Sequence, residues 1–351
     1  MQSLPLVSVV IPMRNEAAHI GACIDSVLAQ DYPVEQLEVI VVDGESDDDS
    51  AAVLRGYGDR IRVLRNPGRI VPTAMNIGIR AARGEVIARV DAHTHLAPSY
   101  IRIGVETLRQ TGADDVGGPM HTLGGGRVGH AVALAMSSRF GIGAYFHVAT
   151  EDREVDTVYM GMYPRRVFEQ IGLFDEELVR NQDDELNYRL RKAGGRIFLT
   201  MHMQSLYQNR QSFKTLARQF FQYGLWKIRV LQKHPRQMSV RQFVPPLFVA
   251  VLLGSALAAL QSSAGLVLLA AIVAAYAVAV LAAAAVVTRQ QPGADLTLVA
   301  AAFAIMHCCW GSGFLVGAAR FADRWFVDEP EPPRLHAAPA APELARASAA
   351  D

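Results

Sequence analysis

The stretch Val86-Ile87-Ala88-Arg89-Val90-Asp91-Ala92-His93 reads as a short β-strand that ends in two side chains able to hold a metal ion. An earlier run, Val39-Ile40-Val41-Val42-Asp43-Gly44, likewise delivers a carboxylate at its carboxyl end. In an open α/β sheet, ligands bind beyond the carboxyl ends of the strands. Acidic residues often open the loop after a strand, so one such Asp carries little. Two of them, with a further acidic cluster at Asp183-Asp184-Glu185, point to a site built for a cation and a phosphate-bearing substrate.

Working outward, strands and helices alternate. Val7–Pro12 is a strand stopped by proline, and Ala17–Ala29 has helical spacing with Ile20, Ile24, Val27 and Leu28 on one side. A strand at Glu38–Val42 precedes a helix from Asp47 to Leu54 with acids in its first turn. A strand at Ile61–Leu64, a helix at Pro72–Ala82 and a strand at Glu85–Val90 follow. This alternation predicts an α/β fold with a mostly parallel central sheet. Two glycine-rich stretches, Gly117-Gly118 and Gly124-Gly125-Gly126, lack the strand before and helix after that a phosphate loop requires. They read at least as well as a loop covering a substrate. A helix is predicted over Asp183–Ala193. Another over Ser212–Gln232 carries Phe213, Leu216, Phe220, Tyr223 and Ile228 on its apolar side.

Half of the 351 residues are hydrophobic (51%), and the excess is concentrated near the carboxyl end. No charged residue lies between Arg241 and Arg289, nor from Leu296 to Ala319. A bilayer core takes about 20 apolar residues per helix. The first stretch fits two spans, Phe243–Leu260 and Ala264–Val287, and the second fits one more. Three crossings would put the tail on the far side, while Pro245-Pro246 leaves a shallow or re-entrant first segment open. The spans hold no Asp, Glu, Lys or Arg to mark a transport pathway. Residues 1–205 thus read as the α/β domain, 206–242 as a basic interfacial segment, 243–326 as the membrane region and 327–351 as a disordered tail.

Zero net charge conceals a segregation: from Leu186 to Ala294 there is no acid, yet lysines and arginines recur from Arg189 to Arg241. Such a segment next to spans is expected on the cytoplasmic side against anionic headgroups, at about 1 kcal/mol per basic residue. Nucleic acid is not expected, because no base-reading motif accompanies the charge. The three cysteines, Cys23 and the adjacent Cys308-Cys309, suit neither a disulfide framework nor a zinc site. No signal peptide is read at the start. The expected location is the cell inner membrane, multi-pass, with the catalytic domain in the cytoplasm.

Five motifs occur in a telling order: Val7–Glu16 (VSVVIPMRNE), Val41–Ser50 (VVDGESDDDS), Asn76–His93 (NIGIRAARGEVIARVDAH), Ile171–Glu176 (IGLFDE) and Gln182–Leu190 (QDDELNYRL). Taken together, they resemble the glycosyltransferases of family 2, which have the nucleotide-binding GT-A fold. Within that family the chain is most similar to membrane-associated glucosyltransferases that extend lipid-linked exopolysaccharides such as succinoglycan. The resemblance implies a UDP-sugar donor, a polyprenyl-diphosphate-linked glycan acceptor and contact with membrane lipids. It implies that Pro12, Arg14, Asn15, Glu16, Asn76 and Arg89 serve the nucleotide pocket and that Asp43 bonds the uracil ring. Asp91 stands where the family's metal-binding DxD begins. His93 replaces the second acid, which leaves Mn²⁺ and Mg²⁺ both open.

By its spacing to Arg189, Asp183 matches the family's catalytic base, which would take the acceptor's proton with inversion at the anomeric carbon. Gln182 stands where a Glu usually precedes it, so Asp184 is a rival base. The polymerising enzymes' Gln-x-x-Arg-Trp motif is absent, which implies addition of a single sugar. The alternative is a catalytically silent nucleotide- or lipid-binding scaffold, favoured only by the two replaced acids.

Overall fold

The computed structural model describes residues 3–141, 149–208, 212–291, 293–327 and 330–336. Eleven strands form: β1 (Val7–Met13), β2 (Leu37–Asp43), β3 (Arg62–Arg65), β4 (Val86–Arg89), β5 (Thr94–Leu96), β6 (Asp115–Gly118), β7 (Met120–Leu123), β8 (Arg153–Glu154), β9 (Tyr159–Pro164), β10 (Ile197–Leu199) and β11 (Ser205–Gln208). The helices of the catalytic domain are α1 (Ile20–Leu28), α2 (Ser50–Arg55), α3 (Val71–Ala81), α4 (Tyr100–Thr111), α5 (Gly126–Met136), α6 (Arg166–Ile171) and α7 (Gln182–Lys192). Four helices follow: α8 (Phe213–Lys233), α9 (Val244–Ala259), α10 (Ser263–Arg289) and α11 (Leu296–Arg320).

The main sheet has eight strands in the order β3-β2-β1-β4-β9-β6-β10-β8. The run β3-β2-β1-β4 is parallel, as the alternation predicted, while β9 is antiparallel to both β4 and β6. Its central strands read as continuous apolar runs because both faces are covered. Val9 and Ile11 of β1 pack with Ile20 and Ile24 of α1, whereas Val10 between them packs with Ile79 of α3. A smaller sheet, β5-β11-β7, begins directly after His93 and anchors the turn that carries it. The order brings the carboxyl ends of β1 and β4 side by side, with Met13, Arg89 and Asp91 at one edge.

The two glycine-rich stretches differ. Gly117-Gly118 is buried strand, and a Cβ on Gly118 would collide with the backbone of Met203. Glycine is there because two backbones meet. Gly124–Gly126, contrary to the expectation, does join a strand to a helix, running from β7 into α5, and it is not in the cavity lining.

Three helical segments are long and apolar enough to cross a membrane: Val240–Ala259, Ser263–Arg289 and Leu296–Arg320. With α8 amphipathic beside them, the chain reads as a membrane protein. The basic segment behaves differently from the expectation, however. Lys227, Arg229 and Lys233 of α8 turn inward, not toward headgroups. Lys227 pairs with Asp184, Arg229 with Glu177, and Lys233 with Asp175 and Glu177. Their partners lie some forty to sixty residues upstream, in the part of the chain that holds the acids. The start of the tail is also ordered: Leu335 is 6% exposed in the core beside α6 and α7. Residues 337–351, the rest of the predicted tail, lie outside the described residues.

Candidate active site

The ends of β1 and β4, the start of α7 and the middle of α8 enclose one cavity of about 1450 Å³. Pro12, Arg14, Asn15, Glu16, Arg89, Asp91, His93, Asp183 and Asp184 all line it. Asn15 takes a left-handed conformation (φ 57°), which its short amide side chain tolerates. That side chain donates to Asp47 at 2.6 Å, pinning the β1 loop to the loop after β2.

Arg89 is the hinge of the electrostatics. It is 7% exposed, donates from Nε to Asp91 at 3.0 Å, and holds Nη1 3.6 Å from Asp183. One guanidinium thus joins the acid at the end of β4 to the acid at the start of α7. Burial opposes ionisation of Asp91, but the charges of Arg89 and His93 outweigh it and keep the carboxyl below its usual range. Arg89 is correspondingly raised. It serves the site through these acids, which refines its expected place among the nucleotide-binding residues.

His93 Nδ1 lies 3.2 Å from Glu16, and its ring meets Tyr207 edge-on at 5.0 Å. Among the described residues no three His, Cys, Asp or Glu side chains are grouped to hold a metal by themselves. A cation at Asp91 and His93 would therefore complete its shell with phosphate oxygens and water. That is how Mg²⁺ and Mn²⁺ sit in nucleotide sites, so the residues present fit a shared ion.

The two candidate bases are not equivalent. Asp184 is neutralised by Lys227, which is 3% exposed. Asp183 keeps a side chain 45% exposed to the cavity, and its Oδ1 accepts the Asp184 backbone N–H at 2.9 Å. Helix α7 is held rigidly beneath it. Arg189 donates to Leu173 O at 2.8 Å and to Glu185, which also takes His234 at 2.9 Å. Burial would raise the Glu185 pKa, but His234 and Arg189 bring it below its usual range.

Two expected residues do not reach the cavity. Asn76 is fully buried, and its amide is spent on Phe174 (2.9 Å both ways) and Glu176 (2.8 Å). It ties α3 to the loop before α7, and the structure does not bring it to the cavity. Asp43 is not in the lining, and its carboxylate accepts from the backbone N–H (3.1 Å) and Oγ (2.6 Å) of Ser46. Other lining residues were unforeseen. Tyr159, whose hydroxyl lies 2.8 Å from Thr94, also supports Asp91. Arg139 lines the cavity too, and no motif surrounds either residue.

A mostly parallel sheet with a metal-compatible acid at one strand end, facing an accessible carboxylate across a cavity, defines a GT-A glycosyltransferase. The model of the glycosyl transferase family 2 matches residues 8–172. The succinoglycan biosynthesis protein ExoA of Rhizobium meliloti is 30% identical over 312 residues, covering 87% of this chain and 93% of that one. The chain belongs to glycosyltransferase family 2. A Methanococcus voltae dolichyl N-acetyl-α-D-glucosaminyl phosphate 3-β-D-2,3-diacetamido-2,3-dideoxy-β-D-glucuronosyltransferase is 27% identical over 65% of this chain and 74% of that one. In fold, the chain matches the mannosyltransferase PcManGT of Pyrobaculum calidifontis, solved with GDP-Man and Mn²⁺. That match has a TM-score of 0.58 at 19% identity over 90% of this chain and 87% of the other.

Proposed function

We propose that this enzyme transfers one sugar, glucose, from a UDP-sugar to a lipid-linked glycan acceptor in exopolysaccharide synthesis, with inversion, on the cytoplasmic face of the inner membrane. One observation carries the lipid-linked part. The acids are not the whole lining: Arg139, Arg218 and Arg241, and Phe248, Tyr276 and Trp310 of the apolar helices, line the same cavity. One cavity thus combines carboxylates, arginines and aromatics, groups suited to a sugar, a diphosphate and a prenyl chain.

In this reading Asp183 accepts the proton of the acceptor hydroxyl as that oxygen bonds to the anomeric carbon. The bond from that carbon to the diphosphate breaks, and UDP departs with the electron pair. Asp91 and His93 would hold Mn²⁺ or Mg²⁺, which supplies positive charge to the leaving diphosphate. Arg14, Asn15 and Glu16 line the donor end. Arg89 keeps Asp91 ionised and orients both Asp91 and Asp183. Asp43 remains a proposed uracil partner from its place in the motif, provided that its bonds to Ser46 open.

The test is transfer of labelled glucose from UDP-glucose into an organic-extractable lipid fraction by membranes carrying the chain. Asp183→Asn should lose roughly 10²–10⁴-fold, the usual contribution of a positioned base. Unchanged transfer by that variant would refute the assignment. Donor binding without transfer by the wild-type chain, across a panel of sugar nucleotides, would favour the scaffold reading.

A further inference from the structure

The last apolar helix packs on α9 and α10, with Gly311 against Pro245 and His307 3.1 Å from Tyr276, but its other side is covered by the catalytic domain and α8. Helix α11 runs alongside α8 in the same direction: Gly313 meets Phe221 and Gly317 meets Leu225. Both of its ends are tied to elements of the catalytic side. Asp295 at its start pairs with Arg127 of α5 at 2.6 Å, and the carbonyl of Phe321 just past its end accepts from Gln232 at 2.6 Å. Its 25 residues extend about 37 Å, longer than the hydrocarbon core of about 30 Å. A helix that crossed the bilayer would carry one of those ends out of reach. Burial separates it from its neighbours as well: 39% of its most apolar window is buried, against 6% for α10.

The chain beyond α11 then returns to the catalytic domain. Leu173 N–H donates to Pro333 O at 2.8 Å, Arg80 to Arg334 O at 3.2 Å, and Leu335 enters the core beside Phe168 and Phe174. Charge agrees. Arg241, Arg289 and Arg320 flank the apolar helices, and Arg241 donates to the carbonyl of Arg139 in this domain, whereas the α9–α10 turn, Leu260-Gln261-Ser262, has no charge. Basic residues collect on one side of the spans they flank.

We infer that the chain enters the lipid bilayer only as the α9–α10 hairpin, crossing it twice, and that α11 braces the membrane-facing surface of the catalytic domain. The carboxyl-terminal segment accordingly lies on the same side as the active site. This rests on the membrane character of the chain and is independent of the reaction proposed above. It replaces the three crossings expected from hydropathy.

The experiment uses the full-length protein in intact cells, with Cys308 and Cys309 replaced by Ala and Cys23 left buried. Single cysteines are placed at exposed positions Val34 (catalytic domain), Gln261 (hairpin tip), Gln291 (α10–α11 loop) and His336 (tail). Each is labelled with a membrane-impermeant maleimide before and after permeabilisation. Gln261→Cys should label on the side opposite Val34→Cys, while Gln291→Cys and His336→Cys behave as Val34→Cys does. Labelling of His336→Cys on the opposite side would restore three crossings and overturn the inference. Labelling of Gln261→Cys on the same side as Val34→Cys would overturn it equally, because the hairpin would not cross. Retained sugar transfer in each variant checks that the fold is intact, and transfer data bear on neither outcome of the labelling.

Discussion

The position of Arg89 governs what single substitutions should do. It is a buried charge satisfied by two acids, so Arg89→Met leaves Asp91 and Asp183 without their common partner. Breaking a buried pair typically costs about 3–5 kcal/mol, and denaturant unfolding in detergent should show a loss of that order. Asp183 and Asp184 should separate in a different way. Asp184→Asn strands the buried Lys227, so its defect should appear as lower stability, with turnover per folded molecule largely kept. Asp183→Asn should do the reverse, keeping stability and losing turnover. Melting temperatures and active-site-normalised rates, measured on the same preparations, distinguish the two.

At the scale of elements, the α8–α11 contact decides how the apolar part is attached. Gly224 of α8 faces the carbonyl of Trp310, and Gly313 of α11 faces that of Phe221, so each glycine lets two backbones touch. Gly313→Leu has no room and should cost about 3 kcal/mol, the upper end for overpacking, read as lower yield of folded protein and a lower Tm. Helix α8 is fastened at its far end by Glu177, which binds Arg229 at 2.7 Å and Lys233 at 2.9 Å. Burial alone would raise the Glu177 pKa, but these cations lower it from its ordinary 4.5 to about 2. A depressed carboxyl contributes stability that is complete above its unfolded value and is lost as pH falls toward its folded one. The Tm should therefore decline as pH drops from about 4.5 toward 2. Glu177→Gln should start lower and show a shallower decline across that window.

For the whole molecule, the open question is how a bilayer-borne acceptor meets a water-borne donor. The cavity answers by running from the strand ends to the apolar helices, with Arg218 and Arg241 exposed along the way. Arg218→Glu combined with Arg241→Glu should raise the KM for a lipid diphosphate acceptor by tenfold or more, the equivalent of about 1.4 kcal/mol, and leave UDP affinity unchanged. Equal losses in both would show that the arginines serve the donor. Lys227 and Arg229 do not belong in this test, because reversing them breaks the pairs that hold α8 to the catalytic domain.

The sequence by itself determined the parallel part of the sheet and the acid, Asp91, at its edge. Strands such as Val39–Val42 and Val86–Ala88 are local, apolar runs, and the second leads into Asp91, which lines the cavity. Helix α7 with Asp183, and the apolar runs near the carboxyl end, were legible for the same reason: each pattern lies within one contiguous window. Pairings between distant windows were not. The charge segregation was visible in the sequence, but its resolution was not, since Lys227 finds Asp184 only when α8 folds back across the domain. Asn76 sat in a nucleotide-binding motif, yet tertiary packing committed its amide to Phe174. Hydropathy counts a helix as apolar whether lipid or protein covers it. Only the packing of α11 against α8, and of Leu335 into the core, distinguishes the brace from the span.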